Sequence, residues 1–463
     1  MKNIQEYFNY LYSLERSGIK YDLKNIAALL KVLGNPHLNL KFIHIAGTNG
    51  KGAVASYIAS ILIEHGLKTG LFTSPHILKF NERIRINGKA IPNDYIKRFM
   101  KDNLKLIRKI KPSFFEVNTL MAFKYFADRK VDIAVIEAGL GGRLDSTNVV
   151  HPELSAITQI AIDHTQYLGN TIQKIAKEKL GIVKKGVDVI VSDTNKSLKN
   201  LFINKIEKDK LYYLDDYTKI SNITRSENGT DFTLKFKIRN DSDYNSIKLH
   251  TPLSGEYQLR NAATAVLAAS NCLFNSGIKC SSVKTSKGIR RVKINSHYHG
   301  RLEKIKKDAI NFIFDISHNP AGIGLALQNL FSHSHHVKSP FLKHVPESLN
   351  RGGDKEGFKP DIVVFGMMAD KDYKSAVREI LKYSNHIIFT KPSYERALQP
   401  EILQVYSIPF KKKNQKIITS RNLHESIKEI KKNVHKNDTV LFIGSFFLVS
   451  DAVKALKLQK YFE

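Results

Sequence analysis

Helical spacing opens the chain: Tyr7, Leu11 and Leu14, then Ile26, Leu29, Leu30 and Leu33, recur every three or four positions. That predicts one or two amphipathic helices over 6–33. From residue 42 the pattern changes to short continuous apolar runs alternating with longer mixed segments. The runs predict strands at 42–46, 70–73, 132–137, 155–160 and 187–192. The segments between them predict helices at 53–65, 94–109, 117–129 and 171–180. A run such as Ile133-Ala134-Val135-Ile136 has no polar face, as expected of a parallel sheet covered on both sides.

Between 208 and 252 the period falls to two (Phe232, Leu234, Phe236, Ile238) around the turn Asn228-Gly229, predicting an antiparallel hairpin excursion. Residues 259–275 follow as an alanine-rich helix, and the polar, basic stretch 285–298 predicts an inter-domain connection. A second series then begins: strand 311–315, helix 321–331, strand 361–365, helix 373–382, strand 386–390, helix 422–433 and strand 439–443. The fold class is therefore α/β, in two domains, 1–295 and 296–463. A polar interruption at 332–359 carries His333, His335 and His336. No carboxylate or cysteine frame accompanies them, so they read as part of a loop rather than a metal site.

Composition adds exclusions. The 463 residues are 42% hydrophobic and 25% charged, ordinary for a soluble globular protein. Cys272 and Cys280 offer neither a disulfide framework nor a CxxC pair, which suits a reducing cytoplasm. The N-terminal segment is charged throughout, unlike a secretory signal, and no uncharged apolar run reaches the about 20 residues of a membrane span. A net charge of +30 suggests anionic partners, but the lysines are spread along the chain without stacked aromatic–basic motifs. Specific nucleic-acid binding is not expected, and attraction of anionic small substrates is.

The chemistry begins at 42–56, FIHIAGTNGKGAVAS, a buried strand breaking into a glycine-rich turn and restarting as a helix. Gly47, Gly50 and Gly52 allow a tight turn with inward N–H groups, and Lys51 adds a positive charge. This is a cradle for phosphates; the alternative is a glycine-rich packing turn. Polar clusters also follow other strands: Thr73-Ser74-Pro75-His76, Glu137 through Asp145, and Asp163-His164. Ligands of open parallel sheets sit at such strand ends. Ser74 and Glu137 offer the oxygen donors that magnesium takes.

These stretches resemble the folylpolyglutamate synthase / dihydrofolate synthase family of the Mur ligase superfamily. The resemblance is carried by HIAGTNGKG (44–52), TSPH (73–76) with Glu82-Arg83-Ile84, EAGLGGRLDSTN (137–148), and Asp163-His164 before Leu168-Gly169. It continues through IAKEKLGIVK (175–184), QLRNAA (258–263), GRLE (300–303), DISHNP (315–320) and FGMMADKD (365–372), covering about 20 to 450. It implies a P-loop parallel-sheet ATPase-like domain and a smaller C-terminal, Rossmann-like α/β domain for glutamate ligation.

The implied activity is ATP-dependent amide formation, in which an acyl phosphate of the substrate is attacked by L-glutamate. The implied acceptors of a bifunctional enzyme are dihydropteroate and tetrahydrofolate with its polyglutamates, the alternative being a monofunctional folylpolyglutamate synthase. A cytoplasmic monomer without membrane attachment is expected. By the same resemblance, Thr48, Asn49, Gly50, Lys51 and Gly52 cradle ATP, with Lys51, His164 and Lys179 serving catalysis. Ser74, Glu137, His164 and Lys179 hold Mg2+, Lys179 as a carbamate. Asn261, Arg301, Asp315 and His318 reach the nucleotide. Ser113, Phe114, Phe115 and Glu116, with Leu144, Asp145 and Ser146, form the pteroate-binding segments. The chain departs from the family pattern at Ala53 (usually Ser or Thr), at Tyr21-Asp22-Leu23-Lys24-Asn25, at Leu180 and at Ile316-Ser317. Two rival readings are a UDP-sugar ligase of peptidoglycan precursors and a nucleotide-dependent RNA-associated protein.

Overall fold

Continuous apolar runs become central parallel strands in a computed structural model that describes residues 3–18, 20–238, 245–331 and 360–462. The expected polar interruption at 332–359, with its histidines, lies outside these residues. Contacts divide the described chain into two units. The first draws on Met1–Ser221, Phe232–His250 and Arg260–Tyr298, and the second on Asn222–Asp231, Thr251–Leu259 and His299–Glu463.

In the first unit the strands are β1 Phe42–Ala46, β2 Thr69–Phe72, β3 Ile84–Ile86, β4 Lys89–Ala90, β5 Ile133–Glu137, β6 Leu154–Ile157, β7 Asp188–Val191 and β8 Leu211–Tyr213. They pair in the order β4-β3-β2-β5-β1-β6-β7-β8. β1 lies parallel between β5 and β6, with Ile45 opposite Glu137 on one side and Ala156 on the other. The short β3 and β4, not evident from periodicity, close one edge antiparallel. On one face the helices Ile4–Ser13, Lys24–Val32, Asn93–Ile110 and Phe114–Asp128 enclose Phe42, Phe72, Phe123 and Phe126.

The helix Lys51–Glu64, directly after β1, is buried from Ala53 through Leu62. An apolar helix without a polar face needs cover on all sides. The basic stretch expected as a connection supplies part of that cover. It forms helices Ser282–Arg290 and Val292–Ser296, with Ser60 Oγ donating to Gly288 O (2.6 Å). The sequence hides these helices because lysine and arginine interrupt their outward faces, where Val283 and Ile294 are exposed as well. A further sheet takes the order β11 (Asn245–Thr251), β10 (Gly229–Phe236), β9 (Thr218–Ser226), with β9 and β10 joined by the predicted turn.

The second unit contains β12 Glu303–Lys307, β13 Ile310–Asp315, β14 Ile362–Phe365, β15 His386–Thr390, β16 Lys416–Ser420 and β17 Thr439–Ile443, ordered β12-β13-β17-β14-β15-β16. All neighbours are parallel except β12 with β13. Ile313, Phe365, Phe389 and Leu441 lie in its core beneath helices Pro320–Phe331 and Tyr373–Tyr383. No helix among the described residues is long and apolar enough to cross a membrane.

Candidate active site

The loops after β1, β2, β5 and β6 leave the same end of the first sheet, beside the point where successive strands part to opposite sides of β1. The loop after β1 is fixed to the one after β6. Thr48 and Asn49 both donate their backbone N–H to Gln159 O (2.7 and 3.2 Å). Thr48 Oγ1 donates to Ala161 O and accepts from Ala161 N, both at 3.0 Å. Gly50 is the N-cap of helix Lys51–Glu64; its φ is 91°, and no side chain caps that end. A Cβ at Gly50 would lie 2.7 Å from Asn261 Oδ1, so this left-handed turn has room for glycine alone. Uncapped first-turn N–H groups and the positive dipole end suit a phosphate.

Lys51 Nζ donates to Thr48 O (3.1 Å) and stands 3.8 Å from Glu137 Oε1. Glu137, buried at the end of β5, accepts the Ser74 backbone N–H on Oε2 at 3.0 Å. Lys179 ends helix Ile172–Lys179 only 4% exposed, and its Nζ donates to Gly47 O (2.7 Å). Burial, helped by the nearby Lys51 charge and opposed by Asp163 and Asp145, pushes its amine down to about 7. A substantial share of that amine is therefore neutral at neutral pH. His164, with φ 50°, begins helix Thr165–Leu168; its N–H donates to Asp163 Oδ1 (2.8 Å) and its Nε2 lies 3.9 Å from Asp163 Oδ2.

The expected substrate segments have a different character. Ser113 and Glu116 form a capping box on helix Phe114–Asp128: Ser113 N donates to Glu116 Oε2 (2.6 Å) and Glu116 N to Ser113 Oγ (3.3 Å). Asn25 Nδ2 reaches Glu116 Oε2 at 3.5 Å. Phe114 lies against Tyr12, and Phe115 stacks on Phe72. Asp145 is buried and uses both oxygens inside its own loop, accepting Leu140 N (2.7 Å), Thr147 N (3.0 Å) and Thr147 Oγ1 (2.5 Å). Burial nevertheless raises its carboxyl above the ordinary range. Ser146 Oγ pairs with Thr119 Oγ1 (2.7 Å), and Leu144 is half-buried beside it.

In the second unit, Asp315 ends β13 and accepts Leu302 N (3.0 Å) and Ser317 N (2.8 Å). Arg301 Nη1 donates to Ser317 Oγ (3.3 Å), and His318 Nδ1 lies 3.2 Å from Ile316 O. Asp315, Arg301 and His318 are thus held around the turn that follows β13.

Two constellations escaped the sequence reading. Tyr21 Oη donates to Glu178 Oε2 (2.7 Å), and Arg143 forks onto the same carboxylate from Nε and Nη2, with Nη2–Oε1 at 3.0 Å. Glu178 thereby ties the 139–146 loop and the N-terminal segment to the helix bearing Lys179. Arg83, buried over the Phe114 ring at 5.1 Å, donates its Nε–H to His76 Nδ1 (2.7 Å). The motifs TSPH and Glu82-Arg83-Ile84 contained these residues, but no spacing rule pairs them.

The Mur ligase middle domain model matches residues 45–269. Similar proteins include the folylpolyglutamate synthase of Lacticaseibacillus casei, 34% identical over 409 residues (86% of this chain, 87% of the relative). The dihydrofolate synthase/folylpolyglutamate synthase of Bacillus subtilis (strain 168) is 31% identical over 463 residues, covering 98% of this chain and 99% of the relative. Among solved structures, Mycobacterium tuberculosis folylpolyglutamate synthase complexed with ADP and AMPPCP superposes with a TM-score of 0.81 at 26% identity, covering 98% and 99% of the two chains. An FPGS–AMPPCP–folate complex gives 0.78 at 28% identity over 98% and 99%.

Proposed function

Because the chain belongs to the folylpolyglutamate synthase / dihydrofolate synthase family of ATP-dependent ligases, we propose that it is bifunctional, adding L-glutamate to dihydropteroate and to tetrahydrofolate and its polyglutamates. The γ-phosphoryl group of ATP passes to the substrate carboxylate. The glutamate amine then attacks the acyl carbon, loses a proton and expels phosphate, leaving an amide. Such a transfer needs positioning and charge neutralisation rather than a protein nucleophile.

The 47–52 turn and Asn261 hold the nucleotide, with Lys51 stabilising the charge that develops on its outer phosphates. The oxygens of Ser74 and Glu137 fit magnesium, and His164 and Lys179 complete its holders. When bound, magnesium supplies neutralisation between phosphate and carboxylate oxygens. Lys179 is the observation that carries this reading. Its neutral amine can take up carbon dioxide with loss of a proton, so that an anion rather than an ammonium faces the metal. Arg301, Asp315 and His318 serve the nucleotide as well. Asp145 shapes the loop on which Leu144 and Ser146 meet the pteroyl group, beside Ser113–Glu116.

Support for the double activity comes from the Bacillus subtilis relative, which aligns over 98% of the chain and carries both activities in its name. A monofunctional folylpolyglutamate synthase is the second reading, favoured by Asp145, whose oxygens are both spent within its loop. The test is phosphate release from ATP and magnesium with glutamate, offering dihydropteroate or tetrahydrofolate. Turnover with both is expected. Turnover with tetrahydrofolate alone would establish the second reading, and none with either would refute both.

A further inference from the structure

The basic segment before residue 299 carries a side chain that the chemistry above leaves unused, Tyr298. Helix Val292–Ser296 is anchored to the far end of helix Lys51–Glu64. Asn295 Nδ2 donates to Ser60 Oγ (3.1 Å) and Glu64 Oε1 (2.9 Å), and Arg291 Nε lies 3.0 Å from Glu64 Oε1. His297 then reverses the chain with φ 50°, and Tyr298 returns towards the first turn of the longer helix. Ser60 and Gly52 are separated by about 12 Å of helix axis. A few extended residues and a tyrosine side chain bridge that length.

At the first turn the Tyr298 ring stands over Gly52. A Cβ there would lie 3.2 Å from Tyr298 Cε2, 3.9 Å from its Oη and 3.4 Å from Glu137 Oε2. The phenol and the Glu137 carboxylate thus border one small space beside the helix N-terminus. Phosphate loops of the Gly-Lys-Ser/Thr kind place a hydroxyl directly after the lysine. Here Gly52 and Ala53 follow Lys51, and the helix contributes no hydroxyl in its first turn. A serine at 52 would also press its Cβ against the ring.

We propose that Tyr298 supplies the missing hydroxyl from outside the loop, donating to the terminal phosphate of bound ATP next to Glu137. The assignment rests on the reading of 47–52 as a triphosphate cradle. A neutral phenol giving its proton to a phosphate oxygen forms a charge-assisted bond, stronger than one between neutral partners.

Calorimetric titration of the full chain with AMPPCP and with ADP, each with magnesium, tests it in wild type and Tyr298→Phe. The variant keeps the ring and its packing on Gly52. Its Kd for AMPPCP should rise about tenfold, while that for ADP stays within about twofold. An unchanged AMPPCP affinity, or a loss shared equally by ADP, would overturn the role of Tyr298. Failure of the wild type to bind either nucleotide would instead overturn the cradle, a distinguishable result.

Discussion

The two clusters of candidate residues are built in opposite ways. In the first unit, functional groups from distant elements converge at the ends of neighbouring strands: Lys179 on Gly47, Lys51 on Glu137, and Glu137 on Ser74. In the second, Asp315 spends its carboxylate on two backbone N–H groups, those of Leu302 and Ser317, and Arg301 finds Ser317 two residues beyond that aspartate. Both keep charge buried at a cost, but the first sets charged groups from separate elements near one another, and the second uses charge to shape backbone. Groups of the first kind should dominate the chemistry, and Asp315 should serve the nucleotide through the loop it shapes.

Lys179→Ala gives the sharpest test. It should lower phosphate release with tetrahydrofolate and glutamate by about a thousandfold, without recovery on adding bicarbonate. A variant retaining full activity would dissolve the distinction between the clusters. Gly50→Ala comes next. It forces a side chain into a left-handed backbone and towards Asn261 Oδ1, and AMPPCP affinity measured by calorimetry should fall about tenfold.

Acid tests the burial itself. His44 in β1 is fully enclosed, its Nε2 on Thr147 Oγ1 at 2.8 Å, and burial pushes its pKa down to about 3. Below the ordinary histidine value the unfolded chain binds a proton that the folded chain refuses, so stability falls as pH drops from about 6.5 towards 3. In denaturant titrations His44→Gln should flatten that slope by up to about 1.4 kcal/mol per pH unit. An unaltered slope would mean that the ring is protonated in place. The smallest effect is expected at Asp315→Asn. Its turn loses about 1 kcal/mol in thermal unfolding, while AMPPCP affinity moves by about threefold or less. A larger binding loss would move Asp315 into the first class.

Strand ends were legible because parallel strands buried on both faces are uninterrupted apolar runs, and glycine and polar clusters mark the loops that follow. Edge elements were not: β12, Glu303–Lys307, holds one isoleucine among four charged residues, and β3 and β4 span few residues. Helices Ser282–Arg290 and Val292–Ser296 were concealed by the lysine and arginine that interrupt their outward faces and by Gly288. Within the site, individual residues could be named from motifs, but their partners could not. Lys179 lies 132 positions from Gly47, and Tyr21 lies 157 from Glu178. Tertiary proximity of that range leaves no periodic trace in one sequence.

Glu64 occupies the negative end of the helix whose positive end faces the phosphate loop, an unfavourable place for an acid. Burial alone would raise its carboxyl, but Lys287, Asn295 and Arg291 draw it below its usual range. Both cations are partly exposed, so dissolved ions compete for them. Ionic strength should therefore loosen the rear mooring of this helix as well as weaken the attraction of anionic ligands to its front. Buffers of different salinity would then report two distinct effects under one measured affinity.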